Sequence, residues 1–381
     1  MTRCAPPSSR PTLGATESLK MSRKVFLPGG PLNIQDLGAD QFRASITLPT
    51  DGDGRMARVC PDDACSPGTF KVKPGTGITG GQTVAYCPYC RRAEAPAQFA
   101  TREQERYAKD MVMREAQRGV DGMIRDAFGL GASGKKKLSG GLISMEISLK
   151  SAPLPYVRPP AEDEVRRDVV CPSCGLDHTV FGLATWCADC GADVFVTHVA
   201  AELAVVHSMV SDIDRRREVL GRRVAARDLE NCLEDAVSVF EAAMKAIARR
   251  HLLASGLAPD GVDARLKKLG NAFQNIARTG EVLREHLGLA AVPGVPWDEM
   301  AAAFEKRHPI THNLGVVDRK YLERAQANDR EGSEVGIASA EVGRTLDQVL
   351  AAVSAVHARL FPASALADQG GVQPVDGTLG D

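Results

Sequence analysis

The chain has 381 residues, 44% of them apolar, which leaves room for two or three domains and excludes a fibre or a wholly disordered polymer. Its formal charge of −1 excludes a general affinity for nucleic acid, so any such site must come from a local basic patch. Eight cysteines binding two divalent ions as thiolates would add about −4 to that charge, which strengthens the exclusion.

Met1 to Lys20 carries Arg3, Arg10 and three prolines but no apolar core of signal-peptide length. No later stretch approaches about 18 uninterrupted apolar residues. The expectation is a soluble cytoplasmic protein with a disordered tail over 1–24, for which Met21 is an alternative start.

A first module is expected over 25–97. Cys60 and Cys65 form a CxxxxC arm and, after a 21-residue insert, Cys87 and Cys90 form a CxxC arm. Phe70 to Lys73 and Thr83 to Tyr86 alternate like short strands around a glycine-rich turn, as in a zinc ribbon. Thr101 to Phe128 reads as one polar helix within a segment over 98–130. The run Gly129 to Lys137 imitates a phosphate-binding loop but places Lys136 where a hydroxyl must ligate magnesium, so it reads as a flexible basic linker. Gly75-Thr76-Gly77 carries no stronger claim. Ile143 to Leu149 alternates as a strand, and Pro153, Pro155, Pro159 and Pro160 stiffen the rest of a connection over 131–166 that marks a domain boundary.

The second cysteine set, over 167–197, has the more regular spacing. Cys171 and Cys174, then Cys187 and Cys190, form two CxxCG knuckles twelve residues apart, each aiming two thiolates at one tetrahedral ion. The glycine after each second cysteine permits the tight backbone. Disulfides are the competing explanation, but they belong to an oxidising compartment. Four thiolates close the coordination sphere, so both ions are expected to be structural zinc. Cys232, in a helical stretch, reads as a small buried hydrophobe. Tyr86, Tyr89, Arg91 and Arg92 near the first set, and Phe181 and Trp186 in the second, offer charge and stacking faces, with Trp186 equally suited to the core.

From His198 the apolar period becomes helical. Leu203, Val206, Val210, Ile213, Leu220 and Val224 are followed by Leu229, Leu233, Val237, Phe240, Met244 and Ile247, giving two long amphipathic helices with a possible break at Arg227-Asp228. A further helix starts at Trp297, after Pro296, and ends at Pro309. Asp318 and Ser339 are candidate N-caps for helices over Tyr321–Ala325 and Val342–Leu360, and a disordered tail is expected over 365–381.

Arg307-His308-Pro309-Ile310-Thr311-His312-Asn313 is a compact set of groups for handling a phosphodiester. A guanidinium neutralises a phosphorane-like transition state, and imidazoles move protons on and off ribose oxygens. The alternative is that Arg307 and His308 decorate a helix C-terminus that Pro309 stops.

This region resembles the HEPN superfamily, specifically HEPN-like nucleases with the signature that reads here Phe304-Glu305-Lys306-Arg307-His308-Pro309-Ile310-Thr311-His312-Asn313-Leu314-Gly315-Val316-Val317-Asp318. Asp228-Leu229-Glu230, Phe240-Glu241 with Lys245, and Asn271 to Asn275 resemble the family's earlier helices. The resemblance implies an all-α bundle over 198–364 that dimerises so that two motifs face one cleft, and it implies a metal-independent endoribonuclease. In it Arg307 would stabilise the pentavalent phosphate and His312 would be general base or acid. His308 would orient the pair, and Asn313 would contact phosphate or cap the next turn. The expected architecture is therefore multidomain α+β, two small β-rich zinc ribbons followed by the helical domain. The expected partners are RNA, a second copy of the chain and an antitoxin or other protein in a defence or stress system. The competing readings are a non-catalytic scaffold binding nucleic acid or protein, and a DNA-binding regulator.

Overall fold

The computed structural model describes residues 12–15, 32–38, 41–130, 135–140, 143–148, 167–325 and 328–362. The prolines at 153–160, Cys4 and the tail over 365–381 lie outside the described residues. The chain is mixed α/β and divides into two compact units, 1–194 with small antiparallel sheets and 195–381, which is helical where described. Among the described residues no helix is long and apolar enough to cross a membrane.

The first unit opens with three strands, β1 (Thr12–Ala15), β2 (Leu32–Gly38) and β3 (Gln41–Thr47), with β3 in the middle. The first of them falls within the segment expected as tail. Next come β4 (Met56–Val59), β5 (Thr69–Val72) and the short pair β6 (Ala85–Tyr86) and β7 (Ala93–Glu94). Helix α1 (Arg102–Phe128) starts where the sequence places it, because Thr101 and Gln104 form a reciprocal capping box, and it ends on Gly129 in the left-handed conformation. Lys135–Gly140 is strand β8, paired with β9 (Ile143–Ser148), so the lysine run is strand rather than linker. Strands β10 (Arg167–Val170) and β11 (Asp177–Val180) complete the unit.

The two cysteine sets, separate modules by sequence, share one sheet. Its order is β10-β11-β5-β4, so a strand from each side of the expected boundary pairs at the centre, Phe70 with Val180 and Val72 with His178. Side chains alternate across it. The central row on one face runs Ala57, Lys71, Thr179 and Asp168, and the polar side chains at its centre, Lys71 and Thr179, are buried. Lys71 pairs with Asp51 at 3.0 Å, Arg55 with Asp177 at 2.8 Å, and the Thr179 hydroxyl donates to Asp168 at 2.6 Å. The other face carries Phe70, Val169 and Val180 into a core that also holds Cys60, Cys87, Cys171 and Cys187. A second cluster packs Leu32, Ile46, Leu48 and Met56 against Tyr107 and Met111 of α1.

The second unit is built on three mutually packed long helices, α2 (Phe195–Ser211), α4 (Arg222–Ala254) and α10 (Ser339–Leu360). Helix α3 (Ile213–Leu220) folds back on α4 at Gly221, whose φ of 94° breaks the run. Arg227-Asp228 lies inside α4, so the break falls about six residues earlier than the apolar period suggests. Leu229, Leu233, Val237, Phe240, Met244 and Ile247 of α4 face Val342, Leu346, Val349 and Val353 of α10 through a common buried interior. Helices α5 (Pro259–Leu269), α6 (Ile276–Glu285), α7 (Trp297–Glu305), α8 (Arg307–His312) and α9 (Arg319–Ala325) close one side, α8 resting on α4 and α7. Cys232 is fully buried in α4, as its apolar neighbours require.

Candidate functional sites

In the first cysteine set Cys60 Sγ lies 3.7 Å from Cys90 Sγ, and Cys65 Sγ 3.7 Å from Cys87 Sγ. In the second the corresponding separations are 3.7 Å for Cys171 and Cys190 and 3.5 Å for Cys174 and Cys187. All four sulfurs of each set lie within 4.8 Å of one another. A tetrahedron with metal–sulfur bonds of about 2.3 Å has edges of about 3.8 Å, whereas a disulfide needs about 2.05 Å, so each set fits a single four-coordinate metal ion. Burial pushes the thiols of Cys65 and Cys174 up, to about 12 and about 11. Four thiolates therefore coexist only against a cation. The knuckle backbones are shaped for the task, with Gly175 at φ 77° and Gly191 at φ 64°. Arg91 takes the same left-handed position after Cys90 at φ 62°, and its guanidinium stacks 4.3 Å over the Trp186 ring.

The aromatic faces noted near these sets are engaged within the unit. Trp186 is buried under Arg91. The Tyr89 hydroxyl donates to Thr69 O at 2.7 Å and accepts from Phe181 N, and Tyr86 lies against Gly191. Arg92 pairs with Glu94 at 3.2 Å. The loop after Gly75-Thr76-Gly77 closes on the second knuckle, since Ile78 N and Gln82 Nε2 donate to the two Asp189 oxygens at 3.0 and 3.1 Å.

In the helical unit the helix break falls before the basic motif rather than after it. Glu305 ends α7, and Arg307 opens α8 with Pro309 in its first turn, where a missing N–H costs no hydrogen bond. His308 and His312 are one turn apart on the same face, and their rings stand 5.2 Å from each other, with His312 exposed. Behind them lies Asp318. It caps α9 by accepting from Tyr321 N at 2.7 Å, accepts from Asn313 Nδ2 at 2.6 Å, and faces His308 Nε2 at 3.5 Å. Asn313 thus contributes by fixing the carboxylate. The connecting turn is stitched to residues 332–335 by bonds from Val317 N to Ser333 O and from Val335 N to Gly315 O, which sets where Asp318 sits.

Burial, then the charge of Lys320, pulls the His308 pKa below the usual imidazole range despite the opposing charge of Asp318. The bond from Tyr321 N, then that from Asn313, holds the Asp318 carboxyl low, so it stays ionised. A neutral imidazole backed by a carboxylate is suited to accepting a proton.

Arg307 turns away from this face. Its Nη1 donates to Gln274 Oε1 at 3.0 Å, Gln274 Nε2 donates to Glu241 at 2.7 Å, and Glu241 pairs with Lys245 at 2.7 Å. Arg307 Nε is buried without a hydrogen-bond partner in the structure. The structure therefore brings together His308, His312, Asn313 and Asp318, and gives Arg307 a separate set of neighbours. Sequence reasoning did not single out Gln274 as a site residue; its only signal was its place in the Asn271–Asn275 stretch, whereas Asp318 was visible both as a cap and as part of the signature. No protein-family model, curated protein or solved structure matches this chain.

Proposed function

We propose that the chain is a zinc-ribbon, HEPN-like endoribonuclease that cleaves RNA by internal transesterification and needs no catalytic metal. The observation that carries this reading is the pair of imidazoles 5.2 Å apart on an open helix face, one backed by Asp318. Neutral His308 takes the proton of a ribose 2′-hydroxyl as its oxygen attacks phosphorus. Protonated His312 gives a proton to the departing 5′-oxygen. The new P–O2′ bond replaces the P–O5′ bond, leaving a 2′,3′-cyclic phosphate and a 5′-hydroxyl. Arg307 neutralises the pentavalent phosphate after exchanging its bond to Gln274 for the phosphate oxygens, in a cleft completed by a second copy of the chain. Zinc is the ion proposed for both Cys4 sets, because thiolate-only tetrahedral donors favour it, and its role is structural.

A second reading, a non-catalytic scaffold, is favoured by one observation. Arg307 is tied through Gln274 to Glu241, so its charge is already partly answered inside the bundle. End-labelled RNA incubated briefly with purified protein and EDTA, beside His312→Ala and His308→Ala, separates the two. Cleavage by the wild type, leaving cyclic phosphate ends and falling about 100-fold or more in either variant, is the nuclease outcome. Wild-type protein that is folded, zinc-loaded and inert points to the scaffold.

A further inference from the structure

We infer that the two four-cysteine sites take up and release their ions as one cooperative pair. The inference rests on each set holding a metal ion and goes beyond that reading to the coupling between them.

The contacts between the sites are reciprocal. Tyr86, the residue before Cys87, donates its N–H to Ala188 O inside the other knuckle at 2.7 Å. Trp186, the residue before Cys187, donates its N–H to Pro88 O inside the first knuckle at 3.1 Å, beside a bond from Thr185 N to the same oxygen. Each knuckle therefore orients the peptide that delivers the other knuckle's first ligand. Arg91, directly after Cys90, lies over Trp186, directly before Cys187. Asp189, between the second pair of ligands, receives Ile78 N and Gln82 Nε2 from the loop joining the two arms of the first set. The strands leading into Cys60 and into Cys171 belong to one sheet, and the four most buried cysteines share one apolar core.

A tetracysteine site orders its knuckles only when the ion neutralises the thiolates. Here ordering one knuckle fixes donors and acceptors that the other uses. The first ion thus bears the entropy of forming the shared sheet, and the second binds to a scaffold already arranged. Coupling of this kind typically changes affinity by about 5–150-fold.

The test is native mass spectrometry of the full chain, demetallated under reducing conditions and titrated with zinc. At one equivalent the expected population is metal-free and two-zinc protein, with the one-zinc form well below the statistical share of about half. Gly77→Ala retains all eight thiols but puts a methyl at φ 73° against the Asp189 carboxylate and 2.9 Å from Leu176 Cβ. In that variant the one-zinc form accumulates. Replacing Cys60 and Cys65 by serine is expected to lower the retained zinc from two to nearly none. Two ions that bind with a statistical one-zinc share, or a serine variant that keeps one zinc with wild-type release to a chelator, overturn the coupling. Failure to bind zinc at either set overturns the metal reading beneath it.

Discussion

At the scale of single residues, Asp318 does three things with two oxygens, capping a helix, holding Asn313 and facing His308. Its charge opposes the burial and the Lys320 field that depress His308. With His308 as the base, cleavage is expected to rise with pH through a midpoint below the ordinary value of about 6.5, because the active neutral form appears as the proton leaves. Lys320→Ala removes one depressing charge and should shift that acid limb to higher pH, while Asp318→Asn should shift it lower. Rate–pH profiles on a defined RNA read both shifts, and a profile that moves oppositely assigns the base elsewhere. The two cysteine clusters were legible in the sequence because a four-sulfur site draws on pairs of short local spacing. The Asp318 cap was legible for the same reason, its acceptor role acting only three residues away. The bond from Arg307 to Gln274 was not, since it spans 33 positions and joins α8 to the turn between α5 and α6.

At the scale of elements, local signals placed α1 closely, because its capping box and terminal glycine lie within its own sequence. The break before α4 was misplaced because the apolar period runs on through it, and the only local marker is Gly221 with its φ of 94°. The central pairing of β5 with β11 had no local signature at all, as strand pairing across a hundred residues is decided by the core both strands cover. Inside the bundle Phe240 meets Phe304 edge to face at 5.4 Å between ring centres, joining α4 to the helix that precedes the basic motif. Phe240→Ala is expected to cost roughly 3–5 kcal/mol of stability. Chemical denaturation checks the value, and a loss under about 1 kcal/mol would mean that this contact does not anchor α7.

At the scale of the whole molecule, the two units have separate interiors of different kinds. One contains the two four-cysteine sets in its core and the other is packed aliphatic and aromatic side chains. Chelation is therefore expected to unfold the first unit and leave the second helical, seen as a protease-resistant fragment beginning near Phe195 with most of the circular-dichroism helix signal retained. Loss of all helix signal on chelation would show that the bundle depends on the metal unit. One consequence follows from the sheet that joins the cysteine sets. After α1 the chain departs at Gly129 and rejoins the sheet at Arg167, so the ends of that excursion are fixed by structure on either side. Closing a loop grows harder only slowly with length, by about 0.6 kcal/mol per doubling. The length of chain between these two fixed ends is thus weakly constrained, and adding residues between Ser148 and Arg167 should leave both four-cysteine sets able to take up their ions, as zinc counting by native mass spectrometry would read.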